Sequence, residues 1–344
     1  MQALQLVEWQ HDPELRDVAE PEPGPGEVVV RIGGAGVCHS DLHLLYEFAP
    51  DLMPYRPPFT LGHENAGWVH ALGAGVTDLE VGEPVAVYGA WGCGHCIRCR
   101  EGMENYCVNA ATAGASGGLG RDGGMASYLL VPAARLVVPL GDLDPVAAAP
   151  LTDAGLTPYH AIRRSLPKLV PGSSAVAIGV GGLGHMGVQL LAAMTAATVI
   201  AVDQRPEALE LAGAGGAAVT VTSGPDAAAE IRDATGGVGA DVILDFVGVD
   251  ATIQLGMQVA RPLADLTVVG IGGGTYPFGF FTGPQEVSLQ TTYWGSITEL
   301  MELLALARRG IVKAEYTTYS LADAPKAYDA LRAGTLRGRA VVVP

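Results

Sequence analysis

Four cysteines fall within fifteen residues, spaced Cys93-x2-Cys96-x2-Cys99-x7-Cys107, while Cys38 stands alone. Four thiolates on one short loop can close a tetrahedral shell around Zn²⁺ and leave no position for a substrate, which is what a structural site requires. An iron–sulfur cluster is the rival reading, but ferredoxin spacing sets the fourth cysteine closer and ahead of a proline. Here Val108 follows Cys107. Five cysteines also make a poor disulfide framework, and clustered thiols in a reducing compartment are more often metal ligands than bridges. A metal in such a loop contributes on the order of 10 kcal/mol to folding.

The second constellation is Gly179-Val180-Gly181-Gly182-Leu183-Gly184, with Asp203 nineteen residues further on. Glycines at this spacing give a tight turn, let backbone approach a pyrophosphate, and allow a helix to pack tightly on a strand. The helix N-terminus offers that pyrophosphate unpaired N–H groups and a partial positive charge. A carboxylate at Asp203 accepts hydrogen bonds from the adenosine ribose and repels a 2′-phosphate, so NAD(H) is favoured over NADP(H). Arg205 tempers this, because a guanidinium there could accept a 2′-phosphate.

The elements that must hold this turn lie in residues 173–202, thirty residues without Asp, Glu, Lys or Arg. About 20 apolar residues can span a bilayer. This run, however, opens strand-like at Ala175 to Val180 and breaks at its glycines. A helix follows from Leu183 to about Ala197, then a second strand from Thr198 to Val202. Parallel strands buried on both faces look continuously hydrophobic without any membrane. Further strands are expected at Ala217 to Val221, Asp241 to Val247, Leu266 to Ile271 and Val287 to Thr292. With the first two they make six, the number of a full doubly wound dinucleotide sheet.

Upstream, Met1 to about Val131 reads as short strands and turns. The breakers between Pro21 and Gly26 precede a strand from Glu27 to Ile32. Gly36 to Asp41 leads into a short helix through Leu45; strands are expected at Val85 to Tyr88 and from Met125 to Val138. The segment Asp142 to Thr157 leads into a helix from Pro158 to Ser165. Near the C-terminus the pattern gives helices at Ile297 to Gly310 and Leu321 to Arg332, and a closing strand from Arg339 to Val343.

The 344 residues, 49% of them hydrophobic, suffice for about two buried cores. A formal charge of −16 argues against nucleic acid or an anionic membrane as the main partner. Met1-Gln2-Ala3-Leu4 lacks the basic and apolar regions of a signal peptide, so the cytoplasm is the expected location.

Taken with Gly62-His63-Glu64-x2-Gly67-x5-Gly73, these motifs resemble the zinc-dependent medium-chain alcohol dehydrogenases over essentially the whole chain. The nearest likeness is to bacterial secondary-alcohol dehydrogenases and aryl-aldehyde (phenylacetaldehyde) reductases. The resemblance implies an α/β protein: a Rossmann domain over residues 152–292, and a mainly β GroES-like catalytic domain over 1–151 and 293–344 that carries the zinc loop. It implies NAD(H) and two Zn²⁺ per chain, the catalytic ion held by Cys38, His63 and Asp153 with an open fourth position. Read alone, Cys38 is a buried thiol and His63 a hydrogen-bonded core histidine, and many relatives have cysteine in place of Asp153.

Further roles come from the same resemblance. Glu64 matches a glutamate that approaches the metal during ligand exchange, and Asp41 the carboxylate that fixes the histidine tautomer; a solvated acid or turn residue is the alternative for each. Ser40 takes the alcohol proton, which passes by way of the nicotinamide ribose to His43, unless His43 only lines the pocket. His39 and Arg339 fall where the family contacts the pyrophosphate. Trp91, Leu119, Phe281, Tyr293 and Trp294 include walls of an apolar cleft, or else simple core and subunit contacts. The implied reaction is reversible oxidation of a hydrophobic secondary or aryl alcohol to ketone or aldehyde, by a dimer or tetramer. The rivals are a polyol, amino-alcohol or formaldehyde dehydrogenase, a nucleotide-binding sensor without turnover, and a metal-free quinone-type reductase.

Overall fold

The computed structural model describes residues 1–48, 55–110 and 116–344. The chain divides into two units, Met1–Leu156 with Gly295–Pro344, and Thr157–Trp294.

The second unit is built on six parallel strands. Their spatial order is Val219–Thr222, Thr198–Asp203, Ser174–Ile178, Ala240–Asp245, Ala260–Val268, Ser288–Thr291. Ser174–Ile178 and Ala240–Asp245 are buried along their whole length, as their unbroken aliphatic runs require in a sheet covered on both faces. The strand order reverses between these two, and ligands of such sheets bind outside the carboxyl ends at that point. Buried acids of the fourth and fifth strands are paired: Asp241 accepts from the Ser174 backbone N–H and from Arg261, and Asp265 from Ser165 and Lys168. All six expected strands are present. The fifth begins at Ala260 rather than Leu266: Ala260 pairs with Ala240, residues 261–264 bulge out of the ladder, and regular pairing resumes with Asp265 opposite Val242.

The first unit centres on the strand Val28–Val37, which pairs antiparallel with Glu64–Leu72, Tyr128–Val131 and the closing strand Arg339–Val343. Pro84–Val87 and Val137–Pro139 extend this sheet on one side and Tyr316–Ser320 on the other, giving seven strands. A smaller sheet sets Gln2–Leu6 between Glu14–Asp17 and Phe59–Thr60. The central strand runs five residues past Ile32. The sequence reading stopped at Gly33-Gly34, but these small residues allow close packing: a Cβ at Gly34 would lie 2.8 Å from Val341. The expected strand from Met125 to Val138 is two strands, divided by a 3₁₀ turn at Ala134–Leu136. The helix expected through Leu45 is one α turn, His39–Leu42, continued by a π turn, His43–Glu47.

The unit boundaries lie at 156/157 and 294/295, against the expected 151/152 and 292/293. The turn Ala149–Thr152 packs on the strand Glu64–Leu72, which keeps Asp153 with the first unit. No helix among the described residues is long and apolar enough to cross a membrane.

Candidate active site and metal centres

Three elements of the first unit converge on one buried cluster. Cys38 follows the central strand and caps His39–Leu42; His63 immediately precedes the strand Glu64–Leu72; Asp153 follows the 3₁₀ turn Ala149–Thr152. One ligand atom each from Cys38, His63, Glu64 and Asp153 lies within 4.8 Å of all the others. Asp153 Oδ2 is 3.9 Å from Cys38 Sγ and 3.6 Å from His63 Nε2. Tetrahedral zinc with bonds of about 2.0–2.3 Å sets its ligand atoms roughly 3.3–3.8 Å apart, so these residues fit the ion by distance and by donor type.

Asp41, fully buried, organises the cluster. Its Oδ1 accepts from His63 Nδ1 at 3.0 Å, which leaves Nε2 as the lone-pair nitrogen facing Asp153. Its Oδ2 accepts from the Cys38 backbone N–H and from the Tyr328 hydroxyl. Burial favours the neutral His63 ring, but Asp41 and Asp153 outweigh it and draw its titration well above the usual histidine range. Tyr328 had no motif to mark it. Its inward direction follows from the helix Ala324–Arg332, where Ala324, Ala327, Tyr328 and Leu331 share the buried face.

Glu64 Oε1 accepts from Arg339 Nη2 in a fully enclosed pair. Burial pushes the Glu64 carboxyl up to about 7 against the pull of that guanidinium. Glu64 Oε2 and Arg339 Nε have no hydrogen-bond partner among the described residues. Position 36 must be glycine for Glu64 to lie here, since a Cβ would fall 2.0 Å from Oε2. Arg339, expected at the pyrophosphate, is 2% exposed and directed at Glu64. His39 is exposed; partial desolvation and the Arg339 charge lower its titration below the usual range. Ser40 Oγ lies 3.5 Å from Cys38 Sγ. His43 Nδ1 lies 2.5 Å from Glu47 Oε2.

The four-cysteine loop closes on itself as its spacing requires. No disulfide forms, the ligand sulfurs lie within 4.8 Å of one another, and the closest pairs are Cys96–Cys99 at 3.4 Å, with Cys93–Cys99 and Cys96–Cys107 each at 3.9 Å. Backbone N–H of His95 lowers the Cys93 thiol to about 5, whereas burial raises Cys99 to about 12. Sulfurs this close fit a tetrahedral zinc shell. Glu104, which sequence reasoning passed over, braces the loop: it accepts from the Gly92 N–H at 2.7 Å and from Arg135 Nε at 2.9 Å.

In the second unit the glycine turn joins Ser174–Ile178 to the helix Gly184–Met194. A Cβ at Gly184 would lie 2.2 Å from the Gly179 carbonyl oxygen, so glycine there lets the helix start against the turn. Asp203 ends the second strand; its Oδ2 accepts from the Val180 N–H at 2.9 Å and its Oδ1 from the Arg205 N–H at 3.0 Å. The Arg205 guanidinium lies beside Gly181, with Nε 3.6 Å from Asp203. Gly181, Gly182, Leu183, Asp203 and Arg205 are therefore gathered at one end of the sheet.

The expected cleft residues are shared between the two units. In the first, Trp91 is buried, its indole N–H donating to the Tyr88 carbonyl, and Leu119 is half-buried. In the second, Tyr293 and Trp294 pack edge to face. Phe281 is 93% exposed on the loop before Ser288–Thr291, where it lines an open groove with Met257 and Tyr276.

Residues 24–142 match the family profile described as Alcohol dehydrogenase GroES-like domain, and residues 182–309 that described as Zinc-binding dehydrogenase. The chain belongs to the zinc-type medium-chain alcohol dehydrogenases. This dehydrogenase is an oxidoreductase of alcohols that works with NAD and zinc, and its GroES-like and Rossmann units are those expected. The NAD-dependent alcohol dehydrogenase of Sulfurisphaera tokodaii is 35% identical over 100% of each chain. The D-arabinose 1-dehydrogenase (NADP(+)) of Saccharolobus solfataricus is 36% identical over 96% of this chain and 94% of its own. The crystal structure of the alcohol dehydrogenase of Aeropyrum pernix matches with a TM-score of 0.93 at 38% identity, covering 100% of both chains.

Proposed function

We propose that the dehydrogenase reversibly converts a small hydrophobic secondary or aryl alcohol to its ketone or aldehyde, with Cys38, His63 and Asp153 holding the catalytic zinc. One observation carries this reading: two side chains from separate strand ends and a third from a distant turn direct zinc-type donors at one buried point, with Asp41 fixing the histidine tautomer. Bound there, Zn²⁺ supplies Lewis acidity towards a hydroxyl or carbonyl oxygen, and NAD(H) supplies the hydride carrier. Cys93, Cys96, Cys99 and Cys107 hold a second, structural ion.

The chain's own residues move the proton. Ser40, adjacent to Cys38, accepts it from the substrate hydroxyl and returns it in the reverse direction. His43 takes it on towards solvent. Asp203 fixes the adenosine ribose through lone pairs that the two backbone N–H groups leave open, and Gly179 to Gly184 admit the pyrophosphate. Glu64 keeps Arg339 in place and stands ready at the metal during ligand exchange. Trp91, Leu119, Tyr293 and Trp294 provide apolar surface for the substrate. The enzyme acts in the cytoplasm as a homo-oligomer, with neither nucleic acid nor membrane as partner.

A second reading, a polyol or sugar dehydrogenase, draws on the D-arabinose relative and on Arg205 beside the turn. An assay of NAD and NADP reduction over primary, secondary, aryl and polyhydroxy alcohols separates the two. Higher kcat/KM for aryl or secondary alcohols with NAD supports the first; preference for a polyol with NADP rejects it. Ser40→Ala should retain zinc and NADH binding yet lose about 100-fold or more in turnover; unchanged kcat excludes Ser40 from the proton path.

A further inference from the structure

No motif in the sequence marks Glu47, yet the structure gives it a defined partner. His43 and Glu47 open and close the π turn, in which the Phe48 N–H reaches back to the His43 carbonyl at 2.8 Å. Single π turns inside helices recur at functional sites. Here the turn brings His43 Nδ1 to 2.5 Å from Glu47 Oε2. A carboxylate only accepts hydrogen bonds, so Nδ1 carries the hydrogen and Nε2 keeps its lone pair. The imidazole also stacks on Phe48, with ring centroids 5.7 Å apart and planes inclined at 20°. The His43 side chain is 14% exposed and that of Glu47 60%, so the acid reaches water while the ring is sheltered. Other charged groups nearby are His39, which is close enough to interact with His43, and Asp12 and Arg332, both occupied with Tyr46.

We propose that Glu47 is a positioning residue for proton transfer: it locks His43 in the tautomer whose Nε2 is the base and steadies the imidazolium that forms. The inference rests on the reading that His43 passes the substrate proton to solvent. The step balances without a further reactant. Nε2 gains the proton from the relay, Nδ1 keeps its hydrogen and donates it to the Glu47 carboxylate, and the imidazolium then releases the Nε2 proton to water. The logic is that of a base oriented by a carboxylate behind it. Because Glu47 is largely solvated, the effect is far smaller than for a buried acid.

The test measures the first turnover of alcohol-dependent NADH formation in the zinc-loaded, full-length enzyme, for wild type, Glu47→Gln, His43→Gln and the double variant. Glu47→Gln is expected to slow it about five- to tenfold while KM, NADH affinity and zinc content stay unchanged. Combined with His43→Gln it should cost nothing more, because the two act as one unit. Raising the concentration of imidazole buffer should restore Glu47→Gln, which a purely structural loss would not allow, and Glu47→Asp should recover part of the rate. A Glu47→Gln enzyme at the wild-type rate, one that adds its full loss to that of His43→Gln, or one deaf to imidazole overturns the inference while leaving the relay standing. If His43→Gln itself runs at the wild-type rate, the relay and the inference fall together.

Discussion

Asp41 holds His63, the Cys38 backbone and Tyr328 with two oxygens, so its charge and its geometry act together on the cluster. Replacing it with asparagine keeps the volume but removes the charge and presents an amide N–H where an acceptor is needed. Asp41→Asn should weaken zinc binding at the Cys38 site by about 10- to 100-fold, read by competition with a chromophoric chelator, with the cysteine-loop ion unaffected. Equal affinity in the variant would mean that Asp41 only fills space. At this scale the sequence was unevenly informative. Cys93 to Cys107 were legible because all four ligands lie in one loop. Cys38 and His63 needed the family likeness, and Asp153 lies 115 residues from Cys38, brought to it only by the fold. Tyr328 and Glu104 act through contacts that no local spacing records, whereas Glu47 stands one helical turn after His43, a spacing legible in the sequence but marked by no motif.

Among the elements, the nucleotide unit was the most readable, because six aliphatic runs alternate with helices and each glycine in the turn has a physical reason. Gly184→Ala puts a methyl group against the Gly179 carbonyl. It should push the helix off the turn and weaken NADH binding by about tenfold or more, measured by fluorescence titration, with zinc content unchanged. Asp245, at the end of the fourth strand, presents the opposite case, since burial raises its carboxyl although the Gly248 N–H, the Thr252 hydroxyl and the Val247 N–H pull it down. Among the described residues its Oδ2 has no hydrogen-bond partner. A carboxyl raised on folding contributes stability below its unfolded pKa that is lost as pH climbs through the folded value. Asp245→Asn should therefore be the more stable protein at neutral pH, by about 1 kcal/mol in urea denaturation, and the gap should close as pH falls through the ordinary carboxylate range. A variant less stable at neutral pH would contradict this. Among the elements misread from sequence, the central strand shows why: a glycine pair reads locally as a break, whereas Gly33-Gly34 lie inside a strand that pairing on both sides sustains.

On the scale of the whole molecule, a dinucleotide-binding unit and a β unit with two sets of zinc-type donors make one dehydrogenase, and the two metal sites divide the labour between shape and chemistry. The cysteine loop has little apolar core besides its own sulfurs, and Glu104 with Arg135 ties it to the sheet-bearing body of its unit. The Cys38 cluster sits where strands end, supported by residues from the start, middle and close of the chain. The most direct test is zinc stoichiometry of the purified enzyme and of Cys38→Ala, measured beside NADH affinity and alcohol-dependent NAD reduction. Wild type should hold about two zinc ions per chain and Cys38→Ala about one, the variant binding NADH normally but failing to turn over. A Cys38→Ala enzyme that keeps both ions, or that oxidises alcohols at the wild-type rate, would contradict the account.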